Sequence, residues 1–271
     1  MNQFSLSGKV IVVTGAAGLL GRNHIEAILS TGGIPVMLDI DKTRLEKTAK
    51  EFNTRFSTQI PYFEIDIADA EQVEKCCTEV MRTFGHIDGL INNAANNPKI
   101  ETDEITVDSR LESFNMDIWD ADIAVGLKGS FLCTKYFGAQ IAIQGGSIIN
   151  ISSDLGIIAP DQRLYQKPGI PPEKQPVKPV TYSIVKTGLI GLTRYTATYW
   201  AAKKVRCNAL CPGGIENQQD SSFIAKLSSL IPLGRMAQQD EYQGSVIFLL
   251  SDASSYITGT TLIADGGRTV W

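Results

Sequence analysis

A tyrosine and a lysine one helical turn apart are the residues of this chain whose types and spacing could do chemistry. Tyr182 and Lys186 stand in a segment whose apolar residues recur at the spacing of one helical face. Side chains four apart project from the same side of a helix. A free phenol has a pKa of about 10, and a nearby ammonium group favours the phenolate. The pair could therefore accept and donate a proton, although a core tyrosine beside a solvated lysine has the same pattern.

Composition limits the class of protein. The 271 residues are 43% apolar and carry a net charge of -4, with no basic tract, so we expect no nucleic-acid partner. No apolar run approaches the roughly 20 residues of a membrane span, so we expect no membrane partner. Residues 1–9 lack the charged and apolar regions of a signal peptide, which predicts a cytoplasmic protein.

The cysteines and histidines do not indicate a metal site or a histidine-based catalytic triad. Neither disulfide-framework nor zinc-ligand spacing is present, so the cysteines are predicted to be reduced and mostly buried. The cysteines are Cys76, Cys77, Cys133, Cys207 and Cys211, and the histidines are His24 and His86.

A glycine-rich turn follows the first predicted strand, Val10 to Val13. The turn holds Gly15, Gly18 and Gly21, and a predicted helix and second strand lead to Asp39, 18 residues after the last of these glycines. This strand–turn–helix–strand unit is the dinucleotide-binding fingerprint, in which glycines allow a pyrophosphate to approach the helix N-terminus. Asp39 would accept hydrogen bonds from the adenosine ribose and repel a 2′-phosphate, which favours NAD over NADP.

Predicted strands and helices alternate along the rest of the chain. A short apolar strand repeatedly precedes a helical pattern, and no linker or internal repeat interrupts the series. This alternation predicts an α/β fold of the Rossmann type, with a doubly wound, mostly parallel, seven-stranded sheet and helices on both faces. We expect one domain over 1–271, with one long helix around Trp119 to Ile141.

Motifs spread over the chain resemble those of the short-chain dehydrogenases/reductases. They appear in the family's order from about residue 7 to 268. The motifs are Thr14-Gly15, Gly18, Gly21, Asp39, Asp66, Asn92-Asn93-Ala94-Ala95, Ser153, Tyr182-x-x-x-Lys186, Pro212-Gly213, Thr258-Gly259 and Asp265-Gly266-Gly267.

The resemblance implies catalytic roles for three residues. Tyr182 would be the general acid and base, and Ser153 would hydrogen-bond the substrate oxygen. Lys186 would hold the nicotinamide ribose and lower the pKa of Tyr182. The implied reaction passes a hydride between NAD and a carbinol carbon while Tyr182 handles the proton.

The resemblance also implies a set of cofactor-binding residues. Asp66 and Ile67 would bracket the adenine, and the backbone of Ile215 would orient the carboxamide. The remaining predicted contacts are Gly15, Gly18, Leu19, Leu20, Asp39, Asn92, Asn93, Ala94, Lys186, Pro212 and Gly213.

Three positions depart from the family's usual pattern. Leu19 stands where the compact branch of the family has its second glycine, and the resulting spacing resembles that of the extended branch. Gly126 replaces the asparagine that helps hold a water on the catalytic lysine, so either the proton relay is altered or a neighbouring side chain substitutes. Asn217 replaces a threonine and could still reach the cofactor or the substrate.

A proline-rich insertion at about 159–180 separates Ser153 from Tyr182, and a predicted substrate loop spans about 214–238. Fixed φ angles at the prolines of the insertion favour an ordered loop at the rim of the site. Its basic residues outnumber its acidic ones, so we expect either a lid that selects an anionic substrate, with Arg163 as its ligand, or a solvated insertion without substrate contact. The basic residues are Arg163, Lys167, Lys174 and Lys178.

The sequence thus predicts an NAD-dependent oxidoreductase acting on a polar secondary alcohol or ketone, for which a sugar derivative with an anionic group is one candidate. The mixed motifs also resemble oxidoreductases of surface-glycan and flagellin-sugar modification. Two alternatives stay open: a sugar-nucleotide epimerase or dehydratase that retains NAD, and a non-catalytic NAD-binding sensor, prompted by Gly126. Relatives pair two helices across a two-fold axis, so a homodimer or homotetramer is expected.

Overall fold

Seven parallel strands form a single twisted sheet in the computed structural model, which describes residues 2–96 and 109–271. The strand order is β3-β2-β1-β4-β5-β6-β7. The strands are β1 (Val10–Thr14), β2 (Ile34–Asp39), β3 (Tyr62–Glu64), β4 (Gly89–Asn92), β5 (Gly146–Ile151), β6 (Val205–Pro212) and β7 (Thr261–Ala264). The chain order reverses between β1 and β4, where open α/β sheets bind ligands beyond the carboxyl ends of their strands. The predicted fold class is confirmed.

Helices cover both faces of this sheet. They are α1 (Leu19–Ser30), α2 (Lys42–Phe56), α3 (Ala70–Phe84), α4 (Met116–Ile123), α5 (Ser130–Gln144), α6 (Val180–Tyr199), α7 (Ser221–Ser228) and α8 (Gln243–Leu250). Alternate residues of β1 enter different cores: Val10 and Val12 pack with α3 and α5, whereas Ile11 and Val13 pack with α1, α2 and α8. Burial on both faces explains why the strands read as continuous apolar runs.

The predicted long helix around Trp119 to Ile141 is present, and its middle turn is π-helical. α4 ends at Ile123, a π-helical segment covers Ala124–Gly129, and α5 begins at Ser130. Residue 126 lies within the π segment, and an added Cβ there would lie 2.5 Å from Cγ1 of Val185 on α6. Close approach of α6 therefore requires glycine at this position.

The insertion over 159–180 is built from short turns. Two 3₁₀ turns, Gln162–Tyr165 and Pro172–Lys174, lie within it. The Leu164 side chain is buried with Leu227, Ile231 and Met236 in a small apolar cluster under the loop 214–238. This packing joins the insertion to the predicted substrate loop, and both flank the carboxyl ends of β5 and β6.

Candidate active site

The glycine-rich turn leaves β1 through a backbone conformation that favours glycine. Gly15 has φ of +61°, and a Cβ on Gly21 would lie 2.1 Å from the Gly15 carbonyl oxygen. α1 begins at Leu19, its N-cap Gly18 makes no side-chain capping bond, and its first turn holds no acidic residue. The helix N-terminus therefore presents backbone N–H groups without a competing carboxylate, which suits the pyrophosphate of a dinucleotide.

Asp39 stands beside this turn, at the end of β2. Its carboxylate accepts hydrogen bonds from the N–H groups of Ala17, at 2.9 Å, and Asp41, at 3.1 Å. These contacts fix the carboxylate at the carboxyl edge of the sheet and leave lone pairs for further donors. Side chains in place of these glycines would fill the turn. The open turn, with a fixed carboxylate next to it, suits a dinucleotide.

The end of β4 separates two asparagines that the sequence groups together. Asn92 is buried and donates to Thr134, at 3.0 Å, and to Asn150, at 2.8 Å, so it ties strands and helix together and does not line the cleft. Asn93 donates to the carbonyl oxygens of Thr14 and Gly15, at 2.9 and 3.1 Å. The predicted cleft contact at Asn92 is therefore wrong, while Asn93 shapes the turn.

The remaining predicted cofactor contacts lie around the same edge. Ala94 backs the turn, because its Cα would lie 2.8 Å from a Cβ on Gly15. Asp66 accepts from the N–H of Ala68, and Ile67 is buried against the start of α5. Pro212 ends β6, and Ile215 forms an isolated parallel bridge with Ala237. The Leu20 side chain packs against the α1, α2 and α8 core.

Tyr182 and Lys186 lie on α6, one turn apart, as their spacing predicts. The Lys186 ammonium lies 5.7 Å from the centroid of the Tyr182 ring and donates to the carbonyl oxygen of Ile151 at 2.8 Å. The Lys186 carbonyl accepts from the Ser152 hydroxyl at 2.7 Å, which ties α6 to the end of β5. The next residue is Ser153, so the three predicted catalytic residues are brought together at one edge of the sheet.

Burial acts on the two titratable groups in opposite directions. It lowers the pKa of Lys186 to about 8, with a further contribution from the charge of Lys178. It raises the pKa of Tyr182 above the ordinary value, and a hydrogen bond with Ser153 opposes that rise. Both shifts follow because burial disfavours the charged form. Without further stabilisation of the phenolate, the phenol would stay protonated at neutral pH.

A buried ion pair beside Ser153 is a feature that the sequence reasoning missed. The Ser153 hydroxyl donates to Asp154 Oδ1 at 2.8 Å and accepts from the Leu155 N–H at 3.2 Å. Asp154 Oδ2 accepts from Arg268 Nη1 at 2.6 Å, and both side chains are less than 10% exposed. Residues 154 and 268 are far apart in sequence, and their charges alone gave no signal of this pairing.

A second lysine lies over Tyr182, the predicted catalytic tyrosine. The Lys178 ammonium stands 3.9 Å from the Tyr182 ring centroid, closer than that of Lys186. On the α4 side, Asp122 accepts a hydrogen bond from the Thr181 hydroxyl at 2.5 Å. The sequence singled out Lys178 only as one of four basic residues of the insertion, and only the fold places it here.

The two predicted substrate residues, Arg163 and Asn217, differ in how exposed they are. The Arg163 side chain is 80% exposed and makes a bidentate pair with Asp161, two residues earlier in the same turn. Arg163 thus faces solvent, and nothing in the described structure directs it at Tyr182. Asn217 lies partly buried in the loop after β6, where its N–H donates to the Gln219 side chain at 2.6 Å.

The described part of the chain holds no group of three or more His, Cys, Asp or Glu side chains that could bind a metal ion. All five cysteines are free and buried, and burial raises the pKa of the Cys76 thiol to about 12 and that of Cys77 to about 11. Across residues 2–96 and 109–271, no helix has the length and apolar character needed to cross a membrane.

Comparisons with known families define the class of protein. The short chain dehydrogenase family model matches residues 9–165, and the enoyl-(acyl carrier protein) reductase model matches residues 174–269. The chain belongs to the short-chain dehydrogenase/reductase family. It is therefore an oxidoreductase that acts on CH–OH groups or the corresponding carbonyls.

Named relatives are similar over nearly their whole length. A 3-oxoacyl-[acyl-carrier-protein] reductase of Thermotoga maritima is 33% identical, over 98% of this chain and 99% of that protein. An NAD-dependent glycerol dehydrogenase of Listeria innocua is 31% identical, over 98% and 96%. An NADP-dependent mannitol dehydrogenase of Hypocrea jecorina is 32% identical, over 99% and 95%.

A solved structure extends the comparison to a bound cofactor. A gluconate 5-dehydrogenase from Burkholderia cenocepacia, in complex with NADP and tartrate, is similar with a TM-score of 0.86 and 26% identity. The match covers all of this chain and 98% of that one. Named relatives and neighbours thus include both NAD- and NADP-dependent enzymes of polar alcohols.

Proposed function

We propose that this chain is an NAD-dependent dehydrogenase or reductase of a polyol or sugar-like secondary alcohol, with Tyr182, Lys186 and Ser153 as its catalytic residues. The observation that carries the proposal is the meeting of Tyr182 and Lys186 with Ser153 at the carboxyl ends of the strands, next to the glycine turn. The alcohol-acting relatives support the substrate class.

The residues divide the reaction between them. Nicotinamide, when bound, supplies the hydride acceptor or donor. In the oxidising direction the Tyr182 phenolate takes the hydroxyl proton of the substrate, and in the reducing direction the Tyr182 phenol returns it. Ser153 holds the substrate oxygen, which requires its hydroxyl to turn from Asp154 towards the substrate. Lys186 favours the phenolate by its charge.

The choice of NAD rests on Asp39. Its carboxylate lies at the end of β2, where a free ribose could donate hydrogen bonds and a 2′-phosphate would meet a like charge. Arg44, the nearest arginine in sequence after Asp39, is exposed and pairs with Asp41. This arrangement supports NAD, because the two cations of that segment, Lys42 and Arg44, are paired with Glu64 and Asp41.

The substrate is proposed to be polar, without the anionic group that the insertion's charge suggested. An open groove of about 580 Å³ lies beside the predicted catalytic residues, which do not line it themselves. Polar and apolar residues of the segments 109–112, 155–162 and 177–187 line it. Exposed Arg163 is already paired with Asp161, so the anionic part of the expectation has no support from this side chain.

An assay with glycerol, threitol, mannitol and gluconate, each with NAD⁺ or NADP⁺, tests the proposed function by the appearance of reduced cofactor. We expect at least one of these alcohols to be oxidised with NAD⁺ and the activity to be lost in Tyr182→Phe. Cofactor that stays bound through purification, without turnover of any alcohol, would instead favour the epimerase or the sensor.

We also propose a dimer or a dimer of dimers. α5 and α6 expose large side chains that a partner helix pair could cover, including Phe131 at 51% and both Tyr195 and Tyr199 at 65% exposure. Tyr195 and Tyr199 stack on each other on α6. A light-scattering mass at micromolar concentration should equal two or four chains, and a monomer mass would contradict the proposal.

A further inference from the structure

Two ammonium groups flank the phenol of Tyr182, and they come from different parts of the chain. Lys186 approaches from the same helix, with its Nζ atom 5.7 Å from the ring centroid. Lys178 approaches from the end of the insertion, with its Nζ atom 3.9 Å from that centroid. A cation within about 6 Å of a ring face is attracted by the ring, and it stabilises a negative charge on the phenol oxygen more strongly than it stabilises the neutral ring.

The backbone around Lys178 is held in place. The Lys178 N–H donates to Oε1 of Gln162 at 2.9 Å, and the Val177 N–H donates to the Ser109 hydroxyl at 3.3 Å. Pro179, the next residue, is the N-cap of α6. The backbone at Lys178 is therefore anchored to both the insertion and the helix that carries Tyr182.

A small cavity joins the charged groups on this side of the ring. It has a volume of about 10 Å³, which is room for about one water molecule, and its lining includes Asp122, Gly126, Lys178, Tyr182 and Lys186. Gly126 contributes no side chain here, so in the described part of the lining the charged groups are the two lysines and Asp122. The polar groups that line this cavity therefore come from residues other than Gly126.

We propose that Lys178 is a positioning residue for the reaction: its ammonium group, delivered by the insertion, stabilises the phenolate form of Tyr182 together with Lys186. The inference rests on the proposed role of Tyr182 as acid and base. It also assigns a purpose to the insertion, which is to bring a second cation to the catalytic tyrosine.

Burial and neighbouring charges also act on the two lysines. Desolvation lowers the pKa of Lys178 to about 8, against the opposing charges of Asp154 and Asp122. Lys178 in turn lowers the pKa of Lys186, because the two ammonium groups repel each other. An ionised Tyr182 close to both ammonium groups would offset that repulsion.

Other titratable groups also face this cluster. Asp154 raises the pKa of Tyr182, and Cys211 acts in the same direction. Tyr165 from the insertion lies close enough to be affected by Tyr182. Asp154 is itself paired with Arg268.

Four variants test the inference on the full chain. Lys178→Met removes the charge and keeps the length of the side chain, whereas Lys178→Arg keeps a permanent charge. Lys174→Met is the matched control, because Lys174 is an exposed lysine of the same insertion. Tyr182→Phe removes the phenol of interest. Subtracting the ultraviolet titration of Tyr182→Phe from the titration of a form that keeps Tyr182 leaves the signal of the Tyr182 phenolate.

Lys178→Met should move the Tyr182 ionisation upward by about one pH unit, since an opposite charge at this range shifts a pKa by about 1–3 units and the site is partly exposed. Lys178→Arg should leave the ionisation at or below the wild-type pH, and Lys174→Met should leave it unchanged. The alkaline shift should reappear in the pH–rate profile for oxidation of whichever assayed alcohol turns over, with the rate recovering at high pH.

An equal pKa of Tyr182 in the wild type and in Lys178→Met would overturn the inference. A wild-type Tyr182 that stays protonated up to alkaline unfolding would overturn it as well. A loss of rate at every pH, without a shift, would show that Lys178 acts only in packing and would overturn it too. Retention of activity by Tyr182→Phe would instead overturn the proposed function, so the two failures are distinguishable.

Discussion

The two halves of the sheet, with β1, β2 and β4 on one side and β5 and β6 on the other, hold their predicted functional groups by different means. Around β1, β2 and β4, the predicted cofactor side is shaped largely by backbone groups: Gly15 takes a positive φ, and Asp39 accepts from the N–H groups of Ala17 and Asp41. Around β5 and β6, the catalytic side is shaped by side chains from remote segments, as in the pair of Asp154 and Arg268. Backbone N–H groups hold the first arrangement, whereas charged side chains 114 residues apart in the chain hold the second.

This difference has a chemical consequence. Backbone groups are always present and hold a common ligand, so the cofactor side can follow a general pattern. Side chains from the insertion and the C-terminal segment adjust the charge near Ser153 and Tyr182, so the catalytic side can differ between relatives that act on different alcohols. Changes on the two sides should therefore separate binding of the cofactor from catalysis.

The largest expected effect is on the catalytic side. Tyr182→Phe should lower kcat by about 10²–10⁴-fold, because loss of general acid and base catalysis typically has that size. Cofactor affinity, measured by fluorescence titration, should stay unchanged because the glycine turn and Asp39 are untouched. A matching loss of cofactor affinity would show that the two sides are not separable.

The buried ion pair should dominate stability on the same side. Arg268→Met leaves Asp154 buried without its partner, which should lower the free energy of unfolding by about 3–5 kcal/mol in a denaturant titration. Arg163→Met is the matched control, because it breaks an exposed Arg–Asp pair and should leave stability nearly unchanged. The double variant Asp154→Asn/Arg268→Met should recover much of the loss, and no recovery would contradict this explanation.

Gly126→Asn should be harmful through packing. Its Cβ would lie 2.5 Å from Cγ1 of the buried Val185, so we expect a loss of about 1–3 kcal/mol in unfolding free energy and no gain in kcat. Gly191→Ala on α6, where an added Cβ meets nothing within 4 Å, serves as the control. A rise in kcat by orders of magnitude would identify the wild-type chain as a weakened catalyst.

The smallest effect concerns the cofactor side. NAD should bind at least about tenfold more tightly than NADP, which equals about 1.4 kcal/mol, because a 2′-phosphate would meet the Asp39 carboxylate. Asp39→Ala should bring the affinities for NAD and NADP closer together. Glu46→Ala, which removes a carboxylate from an exposed position of α2, should leave the relative affinity for NAD and NADP unchanged. Equal wild-type affinities by calorimetry would contradict the role of Asp39.

Several features could be predicted from the sequence because their causes are local. Alternating apolar runs and helical periods indicate the sheet, and the glycine spacing indicates the turn after β1. The four-residue separation of Tyr182 and Lys186 places them on one side of α6. Each of these depends on the backbone geometry of fewer than about twenty consecutive residues.

Other features could not be read in this way because they depend on segments that meet only in the folded chain. The pairing of Asp154 with Arg268, the π-helical turn where Gly126 packs against Val185, and the approach of Lys178 to Tyr182 all have this character. Charge, size and position along the chain are visible in a sequence, but distance between remote side chains is not. The sequence by itself therefore determined the fold class and the candidate catalytic residues, and the tertiary structure decided which neighbours set their charge, since electrostatic effects depend on distance and burial.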